Sequence, residues 1–200
     1  RTNEKLTILR NVAIYCLAFA TASRSDHLRN LVAKNIIKTP NANGFVFNFT
    51  WGKTLRQGNP HMFGLLCSCQ EDPLICPVCR IREYVEEAKK LGWNFEKGYL
   101  FSKIGLQKRG GKDMVVRLQG PISYDEINRA IIKDLKQVGE YEKETFHSFR
   151  GGGGIDKLLR GHSLEEMMFL GYWKDPRMAI HYTKILQTLR PGGVTWEKVK

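Results

Sequence analysis

HSFRGGGGIDKLLRGHSLEEMMFLGYWKDPRMAIHY, residues 147–182, is the stretch from which the fold of this 200-residue chain is read. Apolar spacing predicts helices over His147–Leu159, Ser163–Leu170 and Pro176–Leu189, with Pro191-Gly192-Gly193 ending the last. Ser163, followed three residues later by Glu166, matches the capping box that opens a helix. Gly151 to Gly154 are out of place in such a pattern, because each interior glycine weakens a helix by up to ~1 kcal/mol relative to alanine. Either the helix starts late or its backbone approaches something closely, and the residues leave both open.

Outward from there, Ser123–Val138 reads as another helix, again with a capping-box pattern at Ser123 and Glu126. Residues 93–121 read as loop, with a short extended piece at Tyr99-Leu100-Phe101. Pro77 opens a helix that closes near Gly92. Lys5–Ala22 carries Leu6, Leu9, Val12, Ala13, Cys16, Leu17 and Phe19 at helical spacing, and a short helix follows from Ser25 through Leu31. Asn41-Ala42-Asn43-Gly44 is a turn signal, and after it Phe45, Phe47 and Phe49 alternate with Val46, Asn48 and Thr50 as in a half-buried strand. Gly52-Lys53 forms the next tight turn, with a second strand beyond Gln57. The expected class is mainly α with a small antiparallel β-sheet (α+β).

Lysine and arginine number 32 against 20 aspartate and glutamate, a formal charge of +12. Such an excess favours polyanionic partners, nucleic acid first among them. An anionic membrane surface suits the charge as well, but no basic amphipathic helix stands out. No apolar run approaches the roughly 20 residues that span a bilayer; Val12–Ala22 is apolar but short and reads as a core helix. The start at Arg1, with neither initiator Met nor signal-peptide pattern, leads us to expect a piece of a longer protein.

Five elements stand in order. Ala20-Thr21-Ala22-Ser23-Arg24-Ser25-Asp26-His27-Leu28-Arg29 comes first, then Lys53 in a tight turn between strands, then His147-x-x-Arg150. Leu170-Gly171-Tyr172-Trp173 and Tyr182 complete the series. A lone His-x-x-Arg carries no weight, and taken singly Arg24 reads as a solvated helix-terminal residue and Trp173 and Tyr182 as packing aromatics. Together, over nearly the whole chain, they resemble the tyrosine recombinases, or phage integrase family. The cysteine-rich insert described below is not typical of bacterial relatives and suggests a eukaryotic, crypton-like branch.

The resemblance implies that duplex DNA is cut and rejoined through a 3′-phosphotyrosine, with Tyr182 as nucleophile and no ATP. Arg24 and Arg150 would hold the non-bridging phosphate oxygens, since a guanidinium is always charged and forks its donors. Lys53 would protonate the leaving 5′-oxygen, with Lys38 and Arg56 as rivals for that role. His147 would take the tyrosine proton or orient the phosphate. Trp173 stands where many relatives carry His, and its indole N–H can only donate, so phosphate contact and buttressing fall to it. No cofactor is expected for the chemistry, because arginines neutralise the charge. Arg56, Lys103, Lys108, Arg109 and Lys112, expected in loops, would track DNA phosphates. His27 departs from the pattern, since the family usually places an acidic residue three positions after its first arginine.

Cys67-Ser68-Cys69 and Cys76-Pro77-Val78-Cys79 place four thiols within 13 residues. They are candidates for a tetrahedral structural Zn²⁺, with His61 as a substitute ligand; two disulfides or plain reduced thiols are the alternatives. Cys16 belongs to the first helix and reads as core. We therefore expect a catalytic domain over residues 1–190 with its Cys-rich insert at 67–79, then a tail over 191–200. A smaller N-terminal DNA-binding domain would lie outside this fragment. The resemblance further implies a homo-oligomer, a tetramer on paired sites, in the nucleus if eukaryotic and otherwise in the cytoplasm. The other readings are a type IB topoisomerase, a domesticated domain that binds DNA without cutting it, and a zinc-dependent scaffold module.

Overall fold

The structure is a computed structural model and describes residues 2–41, 43–52, 55 and 60–179. Its axis is α1 (Thr2–Thr21), against which α3 (Pro77–Lys90) and α5 (Ser148–Leu159) pack. Leu6, Ala13, Ile14, Leu17 and Ala18 of α1 are fully buried and share one core with Ile81, Tyr84 and Ala88 of α3. Each leucine or isoleucine so buried stabilises the fold by about 1.5–3 kcal/mol. A buried cation sits beside this core. Arg10 donates from Nη1 to the Ser102 carbonyl at 3.1 Å and pairs with Glu126 at 3.1 Å, joining α1 to the segments that follow.

The expected antiparallel sheet is present, with one strand more than the sequence indicated. β1 (Ile36–Lys38), β2 (Gly44–Phe49) and β3 (His61–Leu66) pair in that order. Phe45, Phe47 and Phe49 face the core, as their alternation predicted. The short α2 (Ser25–Arg29) stops two residues before the predicted end.

Residues 93–121, expected as loop, instead contain a long hairpin of β4 (Ser102–Arg109) and β5 (Lys112–Pro121). Gly110 and Gly111 form its two-residue turn, at φ 57° and 75°. Two positive φ values make the turn type I′, which glycine tolerates without strain. Leu106, Met114 and Leu118 stay exposed, so the strands lack the clean inside-outside alternation that marks a half-buried hairpin. The Gly-Gly pair was the signal available. Lys103 and Lys108 consequently lie on a strand rather than in loops, as do the backbones of Arg109 and Lys112.

α4 (Tyr124–Val138) and α6 (Leu164–Gly171) begin where their caps predicted. The capping box is reciprocal at Ser163 and Glu166. At the other site Ser123 accepts the Glu126 N–H at 3.1 Å, while the Glu126 carboxylate turns to Arg10. Of the helix expected over Pro176–Leu189, residues 176–179 are helical and the remainder lies outside the described residues. Among the described residues no helix is long and apolar enough to cross a membrane.

Candidate active site

Three chain segments converge where α1 ends. Ala22, just past α1, takes a left-handed φ of 48°, which turns the chain so that Arg24 becomes the N-cap of α2. Tyr172 does the same after α6, at φ 50°, and so delivers Trp173. The last carbonyls of a helix have no partner within it and carry the negative end of its dipole. Arg150, from the first turn of α5, supplies the partner to both ends. Its Nη1 donates to the Ala22 carbonyl at 2.6 Å and to the Gly171 carbonyl at 2.8 Å. The Trp173 ring lies over the guanidinium, 4.6 Å from its carbon. Arg150 is 2% exposed and Trp173 3%, so the pair is fixed in place, with Nη1 engaged by the two carbonyls.

The glycine run explains how α5 comes this close. α5 starts at Ser148 and runs through all four glycines, so of the two readings the close approach is correct. A Cβ on Gly153 would lie 2.1 Å from the Phe19 carbonyl oxygen, and one on Gly154 3.0 Å from the Trp173 ring. These two helices touch backbone to backbone.

His147, the N-cap of α5, stays exposed at the rim. Desolvation by the surrounding protein, then the charges of Arg150 and Arg24, hold its pKa below the usual histidine value. His27 is buried, and its pKa falls to about 4. Burial is the first cause; Asp26 opposes the fall, and the charges of Arg24 and Arg150 add to it. Arg150 holds the Ala22 carbonyl two residues before Arg24, stands one turn after His147 and lies under Trp173, which brings Arg24, His147, Arg150 and Trp173 to one region. Arg24 is half-buried. Lys53 and Tyr182, the other two catalytic candidates, lie outside the described residues, as does Arg56.

An aromatic cluster ties this centre to the sheet. His61 and Phe49 are cross-strand partners at the end of β2–β3. The His61 ring contacts Tyr172 at 4.7 Å and Phe169 at 5.0 Å, and His27 packs on Phe49 at 5.8 Å. Gly52 lies against His27 so tightly that a Cβ there would be 2.1 Å from the imidazole. Gly52 is thus buried against His27, and Leu55, whose N–H donates to the Gly52 carbonyl at 2.9 Å, is buried as well. His27 and His61 were not singled out as site residues from sequence. His27 stood out only as a departure from an acidic position, and His61 only as a spare metal ligand. His61 is not with the cysteines. Lys38, a rival to Lys53, sits opposite Phe45, at the other end of the ladder from Phe49.

The four cysteines of the insert do come together. Cys67 and Cys69 follow β3; Cys76 is the N-cap of α3 and Cys79 lies in its first turn. Their sulfurs all lie within 4.8 Å of one another, at 3.5 Å for Cys67–Cys79, 3.8 Å for Cys67–Cys76 and 2.7 Å for Cys69–Cys79. All four are free thiols. Zn–S bonds of about 2.3 Å in a tetrahedron set the sulfurs about 3.8 Å apart, which Cys67 meets with Cys76 and Cys79, while Cys69 and Cys79 would part by about an ångström to hold that ion. Burial would push the Cys76 thiol up, but the backbone N–H groups of Cys79 and Ser68 outweigh it and its pKa falls to about 6.

Solved structures similar to this fold include recombinases and a transposon integrase. The XerH site-specific recombinase, captured in a pre-cleavage complex with its difH substrate, superposes with a TM-score of 0.63 at 12% identity, over 91% of this chain and 46% of that one. The XerA recombinase gives 0.63 at 16% identity, over 95% and 62%. This is the tyrosine recombinase catalytic-domain fold. The Tn1549 transposon integrase, in complex with a circular intermediate DNA, shares the recombinase fold more distantly, with a TM-score of 0.51 at 9% identity over 85% and 52%. The chain spans about half the length of XerH and of the integrase. No family model and no curated protein matches the sequence.

Proposed function

We propose that this recombinase-fold chain is the catalytic domain of a site-specific DNA recombinase that cuts and rejoins duplex DNA through a 3′-phosphotyrosine on Tyr182. One observation carries the reading. Arg150 is fixed between two helix C-termini and under Trp173, with Arg24 and His147 close enough to share its field. Preorganised guanidinium donors are what a pentacoordinate phosphorane needs, and groups of this kind typically supply ~3–4 kcal/mol each to a transition state.

In this reading Arg24 and Arg150 hold the non-bridging oxygens while Tyr182 attacks phosphorus and expels the 5′-oxygen. His147 takes the phenolic proton, and Lys53 returns one to the leaving oxygen. Trp173 acts as a buttress, its ring face occupied by Arg150. The covalent link conserves the energy of the cut strand, so rejoining requires no ATP. The β4–β5 hairpin carries Lys103, Lys108, Arg109 and Lys112 toward the phosphate backbone. The chemistry calls on no metal, and the cysteine cluster is structural. Assembly as a tetramer on paired sites belongs to the same proposal.

The test uses a pool of duplexes nicked near the cleavage position and randomised around it, so that a cut strand loses its 5′-end and the enzyme stays trapped. We expect a protein–DNA adduct that survives denaturing electrophoresis with wild-type protein and disappears with Tyr182→Phe. An adduct undiminished in that variant refutes the nucleophile. Relaxed plasmid without recombinant products would reassign the chain to topoisomerase chemistry.

A further inference from the structure

Loops hold their shape by burying apolar side chains or by satisfying their backbone, and the segment between β3 and α3 does little of the first. Leu74 is 77% exposed and Ile75 40%. Its backbone forms only short turns, at 69–71, where the Glu71 and Asp72 N–H groups donate to the Ser68 carbonyl, and at 73–75. Yet the segment converges on four sulfurs drawn from both of its ends, Cys67 and Cys69 on one side and Cys76 and Cys79 on the other. Thiols gain little from one another's company, whereas a soft divalent cation among them gains four bonds. We propose that Cys67, Cys69, Cys76 and Cys79 bind one Zn²⁺ as a closed tetrahedral site that fastens the exit of β3 to the first turn of α3.

The ligand set determines what the ion does. Four sulfurs leave no coordination position for water or substrate, which is the mark of a structural rather than a catalytic zinc. On binding, each thiol still protonated releases its proton to solvent, and the site becomes Zn(S-Cys)₄ with a net charge of −2. The Ser68 N–H already donates to the Cys76 sulfur at 3.4 Å, the kind of backbone contact that orients a thiolate ligand.

The clasp also has a place in the wider fold. The segment lies along the end of α1 and the second half of α5, where Ser68, Glu71 and Asp72 line a cavity with Phe19, Asp156 and Arg160. Arg160 is bound first to Asp156 within α5, and Asp72 and Glu71 across the cavity add smaller negative charge, so the acidic tip of the loop faces the basic end of α5. β3 is one arm of the hairpin that leads to Lys53, and α5 bears Arg150. The zinc clasp therefore secures the outer ends of two elements that reach the arginine cluster, while staying apart from the chemistry. The assignment stands whether or not the chain is a recombinase.

The decisive measurement is metal content of the intact chain purified from zinc-supplemented culture, paired with thiol counting. We expect one zinc per chain, released to a chromogenic chelator when a mercurial titrates four of the five cysteines. Replacement by Co²⁺ should give the visible bands of a tetrahedral cobalt thiolate. Cys79→Ser and Cys69→Ser should lose the ion, and Cys16→Ser should keep it. Where a ligand variant fails to fold, the wild-type stoichiometry and cobalt spectrum decide alone. Less than about a tenth of an ion per chain, with the four thiols of the insert freely reactive in the folded protein, overturns the proposal; so does octahedral cobalt, or equal metal loss in Cys16→Ser.

Discussion

Adjacent glycines in one helix should respond to the same substitution with opposite signs. A Cβ on Gly153 would stand 2.1 Å from the Phe19 carbonyl oxygen and 3.0 Å from its carbon, where ordinary contact needs a further ångström or so. The obstacle is backbone in the last turn of α1, so it yields only if the two helices part. Such overpacking costs about 1–3 kcal/mol, against which alanine returns up to ~1 kcal/mol of helix propensity. A Cβ on Gly152 meets only the Phe19 ring edge, at 3.5 Å, an ordinary contact, so Gly152→Ala should gain most of that ~1 kcal/mol. Urea denaturation followed by far-UV circular dichroism would measure both. We expect Gly152→Ala to be more stable than the wild type and Gly153→Ala less stable, by about 2 kcal/mol between them. The cost of Gly153→Ala should extend to DNA, because parting α5 from α1 lengthens the 2.6 Å bond from Arg150 to Ala22. Two variants of equal stability, or a stabilised Gly153→Ala, would show that α5 does not approach α1 as described.

Two further outcomes follow from charge. His27 binds its proton at about pH 4 in the folded chain and near 6.5 when unfolded, so between those values the unfolded state holds more protons and stability falls as pH falls. Linkage gives about 2 kcal/mol lost from pH 7 to pH 5, and His27→Gln should lack that component; identical pH slopes in urea titrations of the two proteins would refute it. Lys108, exposed near the hairpin tip, is proposed to meet a phosphate. Lys108→Glu should then weaken binding of any duplex and lower the salt slope by about one, with no change of preference among sequences, as fluorescence anisotropy against salt would report.

The parts of the fold legible in the sequence were those that local chemistry dictates. Pro77, Ser123 and Ser163 marked helix starts, and the alternating phenylalanines marked β2. Gly151–Gly154 announced a conflict between propensity and position, and only the neighbouring helix could say what resolved it. The β4–β5 hairpin escaped because its apolar residues face outward and its signal reduced to two glycines. In the site, Arg24, His147, Arg150 and Trp173 were readable as a set because their order and separation resemble a family pattern. His27 and His61 were not, because their importance lies in contacts between residues far apart in the chain. Gly52 against His27, and His61 against Tyr172, are facts of tertiary packing that no local pattern encodes.

The positions of the charges bear on how such a centre would work. Two helix C-termini, each presenting carbonyl oxygens, hold the Arg150 guanidinium in place with neutral acceptors, so the site keeps a permanent cation at low exposure. Desolvation first, then that cation and Arg24, hold the pKa of His147 below the usual histidine value, which favours the neutral imidazole that can accept a proton. Under the recombinase reading a phosphodiester then brings one negative charge to the arginines. By linkage the anion must raise the His147 pKa as it binds, because the same two charges that repel the imidazolium are being screened. The base therefore gains proton affinity when a scissile phosphate is present to be attacked, and has less of it when the site is empty. An arrangement of this kind ties deprotonation of the nucleophile to occupancy of the site without any moving part. It needs only that one imidazole and two guanidiniums share a phosphate, and the packing of α2 and α5 around the end of α1 gathers those three groups into one field.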